Sequence, residues 1–237
     1  MRGNTGVRVC LLQYPAMNAD LIQTIAVYAL PVLFAITLHE AAHGYVAKYF
    51  GDPTAYLMGR VTLNPLKHID PIGTVLVPLA LYFMTSGAFL FGYAKPVPVA
   101  FGSLRNPRVD TIWVALAGPL CNFVQAILWA VFGLGLQVVG VHEPFFMMMA
   151  QAGLLVNLVM CMFNLFPVPP LDGGRVLVSL LPARAAYTLS RVEPFGFFIV
   201  MALVVSGVLG RVWLWPLIQW GRDVIVWMLT PLLSLVS

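Results

Sequence analysis

Leu21 to Tyr49 read LIQTIAVYALPVLFAITLHEAAHGYVAKY, and the two halves of that stretch carry different information. The first half is apolar almost throughout, broken by Pro31. With the second half it exceeds the roughly 20 residues an α-helix needs to span a bilayer. The second half contains His39-Glu40-Ala41-Ala42-His43. Histidines four apart share one helix face, so both imidazoles can reach one Zn²⁺, and the glutamate beside the first can act as general base toward a water at that ion. Ionisable groups inside a lipid-spanning helix are costly and mark a functional site facing the bundle interior.

The rest of the chain agrees with a membrane setting. Of 237 residues, 60% are hydrophobic and 9% charged, with a mean hydropathy of +0.89. An average soluble domain carries about 25% charged residues. The composition gives an all-α polytopic membrane protein, expected as a helical bundle of about five to six membrane segments in one membrane-embedded domain over residues 1–237. The net charge of +4 sits mostly in short loops, which reads as a topology signal toward anionic lipid and not as nucleic-acid binding. Cys10, Cys121 and Cys161 are too scattered for a disulfide framework or a metal cluster and read as small packing residues. Met1 to Ala16 has no continuous apolar core, so no removable signal peptide is expected there, and residues 1–17 read as a tail.

Taken in order, the first helix stops at Gly51-Asp52-Pro53. Lys48, Arg60 and Lys67 place the following loop in the cytoplasm by the positive-inside rule. Alternating β-branched character around Val61, Thr62 and Leu63 predicts a short strand or hairpin. Residues 73–93 are apolar but lie between two basic loops, which favours a re-entrant segment over a full crossing. Lys95-Pro96-Val97-Pro98-Val99 is extended by its prolines. Thr111 to Val139 and Phe145 to Phe166 read as an antiparallel helical hairpin turning at Gly140 to Pro144. The return brings Asn164-Leu165-Phe166-Pro167-Val168-Pro169-Pro170-Leu171-Asp172-Gly173-Gly174 to the face where His39 and His43 lie. An amphipathic cytoplasmic segment with Arg175, Arg184 and Arg191 follows. Residues 195–237 supply a short fifth crossing, Phe195 to Leu209, and a sixth crossing or interfacial helix from Val212 to Val236.

A catalytic zinc takes three protein ligands plus water, so HEAAH is one short. Topology favours Asp172, which ends the helix returning to the cytoplasmic face. His68 and Asp70 lie on the same side in a loop and are second choices. Asn164 is a candidate for binding substrate backbone or a developing oxyanion, against an ordinary interhelical hydrogen bond. Asn122, after Gly118-Pro119, is a candidate for lining the same cavity, against simple helix packing. Arg105 and Arg108 read as topology determinants.

Two motifs together resemble the site-2 protease family, intramembrane zinc metalloproteases that cut membrane-embedded substrates in regulated intramembrane proteolysis. These are HExxH at His39 to His43 and NxxPxPxLDG at Asn164, Pro167, Pro169, Leu171, Asp172 and Gly173. The stretches GRVTLNPLKHIDPIG and AGPLCN are similar to the compact bacterial members, so the likeness covers residues 33–175, the expected catalytic core. The resemblance implies His39, His43 and Asp172 as ligands of one Zn²⁺ and Glu40 as general base. It also implies a single-pass or tail-type membrane-protein substrate and an integral, inner-membrane location with the active site toward the cytoplasm. The turn at Gly140 to Pro144 is too short for an inserted PDZ domain, and no CBS domain is expected after the last apolar run.

Two other readings compete. A proteolytically silent relative would bind membrane helices as a chaperone or retention factor, but Glu40 and the ligand set are intact. A transporter would place polar groups at several depths along several helices, whereas here they cluster near one end.

Overall fold

The computed structural model describes residues 21–68, 70, 76, 95–141 and 143–236. Helix α1 runs Leu21–Tyr49 and is followed by one short turn of helix, α2, at Thr54–Leu57. The long pair α3 (Pro107–Val138) and α4 (Pro144–Asn164) forms the expected hairpin, its turn made by Gly140 at φ 74°. Then come the short helices α5 (Asp172–Leu180) and α6 (Ala183–Ser190), followed by α7 (Glu193–Val205) and α8 (Trp215–Val236).

Local chemistry sets several of these boundaries. Helix α3 opens with Pro107 in its first turn, where the missing N–H costs nothing. The Asp110 carboxylate there accepts from the Asn106 N–H at 2.7 Å. Helix α1 ends where Gly51 takes φ 108°, and Arg105 donates from its guanidinium to the Tyr49 carbonyl at 3.0 Å. Arg108 does the same for α5, donating to the carbonyls of Ser179 and Leu181 at 2.8 Å each. The two arginines therefore satisfy the orphan carbonyls of helix C-termini, where positive charge is also favoured by the dipole.

Helices α3 and α4 pack against each other, and α1 packs against both. The core between α3, α4 and α8 is built from Ala126, Ala130, Leu158, Cys161 and Ile225. Small residues let the helices approach closely, as expected where lipid supplies no hydrophobic drive for helix association. Outward-facing Leu120, Val124 and Leu128 stay exposed, which suits a lipid-facing surface.

Three segments, Ile22–Tyr49, Pro107–Val138 and Pro144–Asn164, are long and apolar enough to cross a membrane. A fourth is counted if Ala183–Ser190 and Glu193–Val205, bent by 67° at their junction, act as one span. The expected five to six is not reached among the described residues. Residues 73–93 lie outside them apart from Leu76, and Trp215–Val236 carries Arg222 and Asp223 in its middle. The strand expected at Val61–Leu63 is also absent, and no strand occurs among the described residues. That segment runs as bends tied by local bonds: Asn64 N–H donates to the Thr62 hydroxyl at 3.2 Å, and His68 Nε2 meets the Thr62 carbonyl at 3.0 Å. Its neighbour Lys95–Ala100 has prolines at 96 and 98 that lack ladder donors, and its Lys95 carbonyl is taken by the Arg60 guanidinium at 2.9 Å.

Candidate metal centre

His39 and His43 sit one turn apart on α1, facing α3, and both are buried. Each ring is held through Nδ1. His39 Nδ1 lies 2.5 Å from Asn122 Oδ1, and His43 Nδ1 lies 2.7 Å from the Val114 carbonyl. Both partners are oxygen acceptors, so each Nδ1 carries the proton, and each neutral imidazole keeps its Nε2 lone pair for a ligand. The two Nε2 atoms are 3.0 Å apart, and each is 3.4 Å from Asp172 Oδ2.

Asp172 is brought there by the loop before α5. A side chain at Gly173 would collide with the Leu165 carbonyl, so glycine lets the proline-rich loop fold back on the start of α5 and turn Asp172 inward. Asp172 Oδ2 is buried and has no hydrogen-bond partner. Three acceptor atoms thus converge with no proton among them in their neutral-His, ionised-Asp forms, an arrangement that a cation stabilises. Tetrahedral zinc with bonds of about 2.0–2.2 Å has ligand–ligand edges of about 3.3–3.6 Å, close to the separations seen. Gly118 on α3 completes the cradle: a Cβ there would lie 2.5 and 2.6 Å from His39 Cε1 and Nε2, and closer still to His43 Nε2. His39, His43 and Asp172 are the group among the described residues that could hold a metal ion, and they fit zinc.

The remaining residues fall around this group. Glu40 lines a cavity of about 370 Å³ together with His39, His43, Asn164, Asp172 and Arg175. Its Oε2 accepts from the Val97 N–H at 2.7 Å. Asn164 lies on the cavity wall, its Nδ2 donating to the Met160 carbonyl at 2.9 Å. The sequence leaves Asn122 between lining the cavity and simple helix packing, and the structure places it off the cavity wall. Asn122 is fully buried behind His39, because its amide is spent on His39 and on the Ala35 carbonyl at 3.1 Å. The second-choice ligands His68 and Asp70 are not in the ligand group.

The pattern of Peptidase family M50 matches residues 27–154 and 137–207. The chain belongs to peptidase family M50. It is 36% identical over 200 residues to "Putative zinc metalloprotease YwhC" of Bacillus subtilis, covering 82% of this chain and 87% of that protein. It is 31% identical over 194 residues to "Putative zinc metalloprotease Rip2" of Mycolicibacterium smegmatis, covering 81% and 71%. "Zinc metalloprotease MJ0392" of Methanocaldococcus jannaschii is 24% identical over 162 residues, 68% of this chain and 36% of that protein. No solved structure matches the chain. With its apolar helices and its zinc-compatible ligand group, this M50 peptidase is a membrane-embedded zinc metalloprotease.

Four features of this M50 site escape motif reading. Asn157, which accepts from Asn122 Nδ2 at 2.9 Å, left one signal, a polar amide in the middle of the apolar run Phe145 to Phe166. Arg175, one turn beyond Asp172, lines the cavity with its guanidinium over the Phe101 ring at 4.8 Å and 3.2 Å from Glu193. The Val114 carbonyl and the Val97 amide are backbone groups, which the identity of a side chain does not announce.

Proposed function

We propose that this peptidase hydrolyses a peptide bond within the transmembrane segment of a membrane-protein substrate, with His39, His43 and Asp172 as zinc ligands and Glu40 as general base. The observation that carries the reading is the opening of one cavity onto Glu40 and all three candidate ligands. When bound, zinc supplies Lewis acidity, which brings the pKa of a water toward about 7 and polarises a carbonyl. Glu40 takes the proton of the attacking water and returns it to the leaving amine. Its Oε2 is anchored by the Val97 N–H, which leaves Oε1 for that transfer. Asn164, on the cavity wall, is the candidate for holding the substrate backbone. Asn122 acts on His39 from behind.

A substrate helix must unwind to be cut, because its amides are otherwise engaged in internal bonds. An extended stretch can then lie along Lys95–Val99, whose residues 96–99 form part of the cavity wall. Arg60–Leu63 does not line the cavity. The cluster of Lys48, Arg105, Arg108 and Arg175 around the same end of the bundle supports a site near the cytoplasmic face, and the catalytic core falls in residues 33–175.

The test is to purify the protein, measure its zinc, and compare cleavage of candidate membrane substrates by wild type and Glu40→Gln. Zinc in both and cleavage by wild type alone is the expected result. Equal cleavage by both removes Glu40 from the mechanism. Zinc in both with cleavage by neither favours the silent, helix-binding reading.

A further inference from the structure

Behind the candidate ligands runs a line of buried amides that ends in the middle of α4. Asn157 and Asn122 are both fully buried, in long helices that are mostly apolar. Asn157 Nδ2 donates to the Gly153 carbonyl at 2.9 Å. That bond turns Asn157 Oδ1 outward to accept from Asn122 Nδ2, also at 2.9 Å. Asn122 Nδ2 gives its second hydrogen to the Ala35 carbonyl at 3.1 Å, and its Oδ1 accepts from His39 Nδ1 at 2.5 Å. Each amide hydrogen of Asn122 therefore has an acceptor, and its oxygen has a donor.

The order of these bonds has a direction. If the Asn122 amide turned over, its oxygen would face the Ala35 carbonyl and Asn157 Oδ1, both acceptors, and its NH₂ would face the His39 Nδ1–H. Every bond would be lost at side chains with no solvent exposure, and unpaired buried polar groups are costly. Asn157 supplies one of the two acceptors that forbid the turn. Its influence passes through Asn122 to His39, where it keeps the proton on Nδ1, the lone pair on Nε2 and the ring plane fixed.

We propose that Asn157 is a positioning residue of the zinc centre, acting through Asn122 to hold His39 in its metal-binding tautomer and orientation. The inference rests on the reading of His39 as a ligand. Outer partners of metal-bound histidines usually bond the imidazole directly, and their loss lowers metal affinity by about 10- to 100-fold. Asn157 stands one step further back, so the lower end of that range applies. A purely structural interhelical bond would instead lower stability and leave affinity alone.

The experiment is a competition titration of zinc against a chelator, on full-length protein in detergent or nanodiscs, with thermal melting of the zinc-stripped protein measured in parallel. Asn157→Leu, which keeps the branched side-chain shape without the polar atoms, is expected to lose about tenfold in zinc affinity and to alter the visible spectrum of the Co²⁺-substituted protein. Asn157→Asp, protonated at this buried position, can still donate to Gly153 and accept from Asn122, and should restore affinity to within about threefold of wild type. A loss of less than about threefold in Asn157→Leu overturns the proposal, whatever happens to its melting temperature. If the leucine variant does not accumulate, Asn157→Ala is titrated instead under the same criterion. His39→Ala tests the ligand reading separately. Wild-type affinity there removes the ligand and this inference together, whereas wild-type affinity confined to the Asn157 variants removes the inference alone.

Discussion

The Val97 N–H donates to Glu40 Oε2 at 2.7 Å across 57 residues of sequence. Val97 stands between Pro96 and Pro98, so it is the one residue of that triplet with an N–H to give. The carboxylate is thereby held at the cavity wall in a fixed rotamer, and a glutamine can keep the same bond through its carbonyl oxygen. Glu40→Gln is expected to retain zinc while cleavage falls by about 10²- to 10⁴-fold, the usual worth of general acid–base catalysis. Metal analysis alongside a cleavage assay checks both halves.

Gly118 gives a sharper test of the cradle. An added methyl would press on both imidazoles, and overpacking typically costs about 1–3 kcal/mol. Here that strain falls on the ligands, so Gly118→Ala should lower zinc affinity by about ten- to hundredfold. Far-ultraviolet circular dichroism should show its helices intact. Wild-type zinc affinity in this variant would contradict the placement of α3 against His39 and His43.

Arg108 holds the last carbonyls of the short helix whose first residue is Asp172. Removing the guanidinium in Arg108→Ala leaves those carbonyls to solvent, a loss of about 1 kcal/mol. A drop in melting temperature of about 2–4 °C is expected. Arg108→Lys, with a single point charge, should recover part of it.

Asp52 predicts an acid limb. The side chain is fully buried, and burial alone would raise its pKa. Bonds from the Thr54 hydroxyl and N–H and from the Ala100 N–H outweigh that and hold it below the ordinary carboxylate value. A depressed folded-state pKa gives stability that is fully present above the unfolded value of about 3.9 and is lost as pH falls through the folded value. Ala100 closes the stretch that walls the cavity, so limited proteolysis there should accelerate below about pH 4. In Asp52→Asn, cleavage should already be faster at neutral pH and should vary less on acidification.

The parts of this molecule legible in the sequence are those in which a side chain's identity fixes its use. Two histidines one turn apart, and an aspartate after a proline-broken helix end, could be matched because loop charges returned both to one membrane face. The hairpin of α3 and α4 was equally legible, since a glycine turn between two long apolar runs leaves little choice. The strand expected at Val61–Leu63 does not form, because β-branched residues express a local preference that side-chain bonds from Thr62, Asn64 and Arg60 override. Asn122 shows the same limit at the site. Its proximity to the metal centre could be anticipated, but which side of His39 it occupies depends on how α3 packs against α1.

Arg105 and Arg108 combine two duties usually borne by different residues. Their charge favours one sense of insertion through the bilayer, and their guanidiniums fasten the ends of α1 and α5. A chain threaded the opposite way would carry these cations across the membrane and unfasten those helix ends as well. Neutralising either arginine to reverse orientation would therefore disturb packing in the same stroke. Experiments on the membrane topology of this protein should move charge at loop positions that bond to nothing, and leave these two in place.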